Sequence, residues 1–196
     1  MTNLLVDELP ETLEIAGKEF PISTDARDAI RTMMAFESND LTDPEKQYVM
    51  LLNLFEELPP VSMEVYEQAQ WFLNGGKEAG EHSNRDSAVF SFSKDANLIY
   101  AAFKQTHGID LQREKLHWWQ FLALFMDLGP DTTFCSLVSL RKRRMAGKLT
   151  KAEREAVSEL GDWMDVPQPD NRTAEEKRKD EDFERRYQAA KAKERL

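Results

Sequence analysis

The sequence predicts a mainly α-helical protein: a compact multi-helix domain with a small N-terminal β-hairpin and a charged C-terminal helical extension. Apolar residues recur at helical spacing over most of the chain, alternate with polar residues only near the N-terminus, and give way to charged residues after Pro169. A chain of 196 residues has room for one ordinary domain and an extension. We expect an N-terminal arm over 1–11, a helical domain including the hairpin over 12–166, and a linker with the extension over 167–196.

The composition is that of a soluble protein in a reducing compartment. A single cysteine, Cys135, rules out an intramolecular disulfide framework and a multi-cysteine zinc site. No apolar run approaches the roughly 20 residues that a membrane-spanning helix needs. The segment Met1-Thr2-Asn3-Leu4 lacks the basic start of a secretory signal. We therefore expect a soluble cytoplasmic protein.

The negative charge is concentrated in the first part of the chain. The net charge is −10, and residues 1–80 hold 16 acids against 5 bases. This distribution argues against nucleic-acid binding, because phosphates require a cationic surface. It indicates either a basic protein partner or simply a well-solvated acidic surface.

The predicted hairpin lies directly after the N-terminal arm. Leu13 and Ile15 alternate with Glu14, and Phe20 and Ile22 flank Pro21 on the second strand. Gly17 lies in the connection, where a positive φ is needed. Because Pro21, between Phe20 and Ile22, has no N–H to donate, we expect an edge hairpin and not the centre of a sheet.

Four helices are predicted in the next 85 residues. They cover 24–38, 43–58, a segment between the N-cap Ser62 and Gly75-Gly76, and about 93–107, which Gly108 terminates. Thr42 and Glu45 have the spacing of a capping box, and residues 77–90 are read as a loop. The residues predicted to face inward are Ala26, Ile30, Met33 and Met34; Tyr48, Leu51, Leu52 and Phe55; Tyr66, Ala69, Phe72 and Leu73; and Ala96, Ile99 and Phe103.

Three more helices complete the predicted domain. Asp110 is the expected N-cap of a helix over 111–128, which is apolar on nearly every side from Leu116 onward and should be central. A sixth helix starts at Asp131 and ends in the run from Arg141 to Arg144. A seventh starts at a capping box of Thr150 and Glu153. The predicted inward residues of these last two are Phe134, Leu137 and Val138, then Ala156, Val157, Leu160, Trp163 and Met164.

The extension is predicted to be a charged helix after the linker Pro167-Gln168-Pro169. Acid–base pairs such as Asp182 and Arg186 stand at i, i+4 spacing, which supports an isolated helix by about 0.2–0.5 kcal/mol per pair. Phe183 and Tyr187 form an apolar stripe too thin to anchor the helix to a core. We expect a helix that is partly frayed alone or ordered against a partner, with Phe183 and Tyr187 as candidate partner-binding residues.

Few residues are candidates for enzyme chemistry, and we expect no catalytic, metal-binding or cofactor-binding residues. Glu114 and His117 stand at i, i+3, as in di-metal helical bundles, but the second motif that such a site needs is missing. We interpret His117 as capping or lining the helix of the two tryptophans. Cys135 is interpreted as a small buried apolar residue. His82 and His107 have no spacing that indicates a metal site, and Gly75-Gly76 lacks the ending of a phosphate loop.

Two further features each allow two interpretations. The run Arg141, Lys142, Arg143 and Arg144 either complements the dipole at a helix C-terminus or binds an acidic partner. Trp118 and Trp119 point about 100° apart on a helix, and so either fill two neighbouring helix interfaces or form an exposed partner site.

Several stretches together resemble one family. They are Leu9-Pro10, the hairpin residues 15–22, Ser23-Thr24-Asp25, Asp95-Ala96, residues 99–103, Gly108-Ile109-Asp110-Leu111, and Leu116-His117-Trp118-Trp119-Gln120-Phe121. Over residues 9–165 the chain resembles the bacteriophage gene-product-fifteen family. The most specific part is the His-Trp-Trp segment with the preceding Ile109, Asp110 and Leu111, although Thr106-His107 stand where an aromatic residue is expected.

The resemblance implies a role in the tail module of long-tailed phages and prophages of Gram-positive hosts. Members are regarded as tail assembly chaperones, which hold the tape measure protein soluble until tail tube subunits polymerise around it. The implied partners are thus the tape measure protein and, secondarily, tail tube subunits. The implied location is the host-cell cytoplasm during infection, with absence from the mature virion. The alternative is a structural tail component retained in the virion. Neither nucleic acid nor membrane is an expected partner, and self-association stays open.

Overall fold

The computed structural model describes residues 3–77 and 88–168, together with 178–179, 182–183 and 185–186 of the extension. Within this part of the chain, a two-stranded sheet precedes seven α-helices and a 3-10 helix, so the predicted fold class is confirmed. Most of the predicted loop 77–90 and the linker residue Pro169 lie outside the described residues. None of the described helices combines the length and the apolar character that crossing a membrane requires.

The hairpin is present as predicted. Strand β1 (Thr12–Ile15) pairs with β2 (Lys18–Pro21) in antiparallel register, with Leu13 opposite Phe20. Ala16 and Gly17 in the two-residue turn have φ values of 51° and 75°, the left-handed pair that a tight hairpin turn requires. Leu13 and Ile15 face the interior, so the hairpin packs one side on the helices.

Helices α1 (Ala26–Glu37) and α2 (Asp43–Leu54) pack against each other after the hairpin. The predicted capping box of Thr42 and Glu45 is formed. The predicted inward stripe of α2 is wrong for Tyr48 and Leu52, which are 53% and 51% exposed. On α1, the predicted inward residue Met34 is also exposed.

The second helix ends earlier than predicted. It stops at Leu54 and not at residue 58, because Phe55 continues in extended conformation and pairs with Ile22. The Ser23 amide donates to the Leu54 carbonyl at 2.7 Å, and the Glu56 amide donates to the Pro21 carbonyl at 3.3 Å. The segment after the hairpin therefore supplies the hydrogen bonds that end α2.

Helices α3 (Met63–Leu73) and α4 (Ala96–His107) have boundaries close to those predicted. The Ser62 hydroxyl accepts a hydrogen bond from the Val65 amide at the start of α3. Gly108 ends α4 in the left-handed conformation, with a φ of 73°. The predicted inward residue Ala96 is exposed, because it lies in the first turn of α4 at the edge of the core.

Helix α5 (Trp118–Met126) is half as long as the predicted helix over 111–128. Its N-cap is His117, whereas Asp110 caps only a turn by accepting a hydrogen bond from the Gln112 amide. The helix starts late because residues 116–118 are bonded to residues 24–26: the Ala26 amide donates to the Leu116 carbonyl, and the Trp118 amide donates to the Thr24 carbonyl. The expectation of burial on every side is also wrong, since Met126 is 84% exposed.

Helix α6 (Thr133–Met145) begins after the N-cap Thr132, one residue later than predicted. Helix α7 (Lys151–Leu160) has the predicted capping box of Thr150 and Glu153, and the 3-10 helix Gly161–Met164 follows it. The predicted buried face of α7 is wrong, because none of its residues is buried and only Met164 beyond it is. The reason is that the contacts of α7 are mainly with the adjoining 3-10 helix.

The core is centred on an aromatic cluster around Phe121 of α5. The ring of Phe121 stacks on Phe103 of α4 at 4.8 Å and on Trp118 at 5.4 Å between centroids. Phe125 and Phe92 extend the cluster toward Phe134 at the start of α6. Such ring pairs contribute about 0.5–1.5 kcal/mol each beyond the area they bury.

Candidate interaction surface

The His-Trp-Trp segment completes the end of α3. The indole N–H of Trp118 donates to the Leu73 carbonyl at 2.9 Å, and that of Trp119 donates to the Phe72 carbonyl at 2.8 Å. The last carbonyls of a helix have no partner within the helix, so the Trp118 indole supplies one to Leu73, while the Phe72 carbonyl also accepts from the Gly75 amide at 3.1 Å. Both indoles are buried, which places the segment in the core and not on a partner-binding surface.

His117 fixes the start of α5 and the N-terminal arm together. Its Nδ1 accepts a hydrogen bond from the Trp119 amide at 3.0 Å, so the ring proton is on Nε2, which donates to the Pro10 carbonyl at 3.2 Å. Burial lowers the pKa of the imidazole below its usual range, partly opposed by the Pro10 carbonyl and by Glu11. The neutral ring is therefore the form that the fold uses.

Glu114 does not join His117. It precedes α5 and accepts a hydrogen bond from the Asp110 amide at 3.0 Å, so the helical i, i+3 geometry predicted for the two residues is absent. In the part of the chain that the structure describes, no three His, Cys, Asp or Glu side chains are grouped as metal ligands would be. His82 lies outside that part.

The other motif residues also have structural contacts. Asp110 accepts a hydrogen bond from the Tyr100 hydroxyl at 3.1 Å and lies 3.6 Å from the Lys104 ammonium, which ties this turn to α4. Leu111 and Leu116 pack against the core, Phe121 is buried within it, and Ile109 is partly buried. Cys135 is partly buried, with its thiol 3.5 Å from the Leu128 carbonyl.

Arg141 belongs to the interior and not to the basic surface of α6. It is 2% exposed, and its guanidinium forms two bonds to the carboxylate of Asp95, at 2.6 and 2.9 Å. Lys142, Arg143 and Arg144 are exposed. The missed signal is spacing: residues 134, 137, 138 and 141 stand at i, i+3, i+4 and i+7, so Arg141 continues the buried stripe of α6.

A buried polar network extends from this pair to α1. Asp95 also accepts a hydrogen bond from the Ser91 amide at 3.0 Å. The Ser91 hydroxyl donates to the carboxylate of Glu37 at 2.7 Å, and the Phe92 amide donates to the same carboxylate at 2.6 Å. The turn before α4 is thus held between the end of α1 and the buried arginine.

The same arginine presents Trp163 to solvent on a fixed backbone. The Arg141 guanidinium donates to the Trp163 carbonyl from two nitrogens, while the indole is 51% exposed. Met145 at the end of α6 and Leu160 at the end of α7 are also exposed, and we name Trp163, Met145 and Leu160 the α7 surface. A cleft of about 380 Å³ lies beside the C-terminal end of α6, lined by Ala88, Arg141, Arg144, Met145, Met164, Asp165, Val166 and Gln168.

One ion pair joins α6 to α7, and a second joins α6 to the residue that follows the 3-10 helix. Arg143 lies 2.8 Å from Glu153, and Arg144 lies 3.1 Å from Asp165. Exposed pairs of this kind contribute about 0–1 kcal/mol each. The apolar residues of the α7 surface remain exposed in the folded chain, and tryptophan is one of the residue types enriched at the energetic centres of protein interfaces.

The extension is described at only six positions, all with helical backbone. The predicted pair of Asp182 and Arg186 is formed at 2.7 Å. Phe183 is 68% exposed, and Tyr187 lies outside the described residues.

A family model described as bacteriophage Gp15 protein matches residues 5–165 of the chain. No curated protein and no solved structure matches it significantly. The matched span begins in the N-terminal arm and ends just after the 3-10 helix that carries Trp163, so it includes the aromatic core and the α7 surface.

Proposed function

We propose that this chain, which belongs to the bacteriophage Gp15 protein family, is a phage tail assembly chaperone. It binds the tape measure protein and keeps it soluble in the host-cell cytoplasm until tail tube subunits polymerise and displace it. The resemblance set out above implies a client that is long, helical and rich in apolar faces. The function proposed here uses no catalytic residue, metal or cofactor.

The observation that supports a binding role is the α7 surface. Its helix buries none of its own residues, and Trp163 projects from a backbone that Arg141 fixes from inside. A surface ordered before binding loses little conformational entropy when a partner docks. An amphipathic client helix can lay its apolar stripe against such a surface, as in helix-in-groove recognition.

Co-expression with the tape measure protein of the same phage tests this function. We expect the tape measure protein in the soluble fraction when the chain is present and in the pellet when it is absent. The variant Trp163→Ser should return the client to the pellet, whereas Met126→Ser, at an exposed position of α5, should not. A tape measure protein that stays insoluble beside the wild-type chain contradicts the proposal.

A structural tail component retained in the virion is the second candidate, because such a protein also needs a folded helical domain with an exposed apolar surface for its contacts. Mass spectrometry of purified virions separates the two. A chaperone is absent from the particle, whereas a retained component is present in a fixed ratio to the tube subunits.

A further inference from the structure

Helix α2 has a second apolar face that no described element covers. Its inner side carries Lys46, Met50 and Leu54, each one turn apart and all buried. Tyr48 and Leu52 are also one turn apart, and at 100° per residue they lie on the opposite side of the helix. Both side chains are half exposed.

The residues before and after this face in sequence are rich in carboxylates, and the only cation of the segment points away from it. Residues 38–63 contain one base and five acids, the latter being Asp40, Asp43, Glu45, Glu56 and Glu57. All five acids are exposed. The base, Lys46, is 9% exposed and donates to the Phe36 carbonyl of α1 at 3.2 Å. We name Tyr48 and Leu52, together with Glu45 one turn earlier and with Glu56 and Glu57 after the helix, the acidic α2 face.

The apolar surface continues beyond the helix. Leu58, Val61 and Met63 are exposed in the segment that joins α2 to α3. Glu56 and Glu57 lie between them and Leu52 in sequence. The exposed apolar residues after α2 therefore follow directly on the two carboxylates in the chain.

The chemistry selects one kind of partner. Negative charge repels nucleic acid and anionic membrane surfaces. It attracts a helix whose apolar stripe is flanked by lysine or arginine, because the cations pair with the carboxylates while their aliphatic stems cover apolar surface. The ring of Tyr48 adds a face over which a cation can lie.

We infer that the acidic α2 face docks a cationic amphipathic helix. This inference rests on the proposed function for the source of that helix, which is the tape measure protein. Beyond the proposed function, the inference states that the tape measure segment bound by the acidic α2 face has an apolar stripe flanked by basic residues. The affinity for this segment should fall as ionic strength rises.

Two model peptides test the inference with the full chain. Both are amphipathic 18-residue helices with a leucine stripe, one flanked by lysines and the other by glutamates, and binding is followed by fluorescence anisotropy. We expect the lysine peptide to bind more tightly than the glutamate peptide, and we expect this difference to persist in Trp163→Ser, in which the α7 surface is impaired. The variant Tyr48→Ser/Leu52→Ser should weaken binding by about tenfold or more, the loss expected of central apolar contacts. The control Met126→Ser should leave it unchanged.

Charge is tested at matched positions. Glu56→Lys/Glu57→Lys should weaken binding of the lysine peptide, whereas Asp127→Lys/Asp131→Lys, the same change of charge at exposed positions after the C-terminal end of α5, should not. If circular dichroism shows that Tyr48→Ser/Leu52→Ser is unfolded, the comparison of the two lysine double variants tests the inference by itself. Equal binding of both peptides, or unchanged binding by the α2 variants, overturns the inference.

Two further outcomes are decisive. If sedimentation shows a wild-type dimer that Tyr48→Ser/Leu52→Ser converts to a monomer, and neither peptide binds, the face serves self-association and the inference is wrong. If the chain keeps the tape measure protein soluble but does not bind the lysine peptide, only the inference fails. If the lysine peptide binds but the tape measure protein stays insoluble, only the proposed function fails.

Discussion

Arg141 of α6 and Asp95 at the start of α4 form a buried ion pair in which Nη1 lies 2.6 Å from Oδ2 and Nη2 lies 2.9 Å from Oδ1. Removing two charges from water costs several kcal/mol per ion, and the pair recovers this only through good geometry and further hydrogen bonds. The Trp163 and Val89 carbonyls supply such bonds to Arg141, and the Ser91 amide supplies one to Asp95. The pair therefore fixes the arrangement of four chain segments.

Removing the arginine should be strongly destabilising. We expect Arg141→Met to lower the free energy of unfolding by about 3–5 kcal/mol, because Asp95 is left charged and buried. Arg141→Met/Asp95→Asn should recover part of this loss, since the amide is neutral and still accepts a hydrogen bond. Urea unfolding measures both. Lys142→Ala, next to it but exposed, should change stability by less than about 0.5 kcal/mol. A loss below 1 kcal/mol in the single variant contradicts the burial of the pair.

A methyl group at Gly76 should disturb the packing of Trp119. Gly76 has a φ of 79°, and a Cβ there would lie 2.8 Å from Cη2 of Trp119. Gly147 has a φ of 66° and open space around it. Gly147→Ala should therefore cost about 1–2 kcal/mol of backbone strain. Gly76→Ala should lower the free energy of unfolding by about 1–3 kcal/mol more than this, because the added methyl group would overlap the Trp119 indole. Urea unfolding compares the two, and equal losses would show that the indole moves aside freely.

Stability should fall at acidic pH through His117. Its pKa is lowered by burial in the folded state, so between the folded and unfolded pKa values the unfolded chain binds more protons. The stabilisation is fully present above the unfolded pKa of about 6.5 and is lost as the pH falls through the folded pKa. His117→Asn keeps an N-cap acceptor and should flatten this dependence. Melting temperatures at pH 5 and 7.5 measure the effect, and parallel losses in both proteins would exclude His117 as its origin.

Trp163 should matter for binding and little for stability. Its indole is half exposed, whereas its carbonyl is held by Arg141, so Trp163→Ser leaves the anchoring bonds in place. We expect this variant to bind a soluble tape measure fragment about tenfold more weakly or worse, as measured by calorimetry. Its free energy of unfolding should fall by no more than about 1–2 kcal/mol. Unaltered affinity would remove the α7 surface from the proposed interface.

Deletion of 171–196 tests the extension as a separate partner-binding segment. The exposure of Phe183 predicts that thermal stability stays nearly unchanged. If the stripe of Phe183 and Tyr187 contacts the client, affinity for the same fragment should fall. Phe183→Ser in the full chain distinguishes loss of this side chain from loss of the extension's charge.

Local signals predicted where elements begin and end better than which side faces inward. Ser62, Gly108 and the capping box of Thr150 and Glu153 act through bonds to neighbouring residues, so the sequence alone reveals them. The inward side of α2 is different, because apolar residues cover both of its faces and only the position of α1 selects Met50 over Leu52. The length of α5 likewise depends on residues distant in sequence. Hydrogen bonds with residues 24–26 keep Leu116 out of the helix, so that α5 begins only at Trp118.

The candidate surfaces were predictable only in part. The basic run of α6 is recognisable in the sequence. Its first residue, Arg141, is buried because it pairs with Asp95, which lies 46 residues earlier. Trp163 was expected to be buried, because an amphipathic pattern does not reveal whether a covering element exists. The exposure of Tyr48 and Trp163 therefore comes from tertiary structure.

The hydrogen bonds between residues 24–26 and 116–118 determine when the fold can close during synthesis. Translation at 5–20 residues per second separates the emergence of these two segments by about 5–20 s. In that interval the hairpin and α1 have α2 and α3 as neighbours, while the side that receives α5 is still open. A nascent chain of this protein thus carries uncovered apolar surface on the ribosome until the His-Trp-Trp segment has been synthesised.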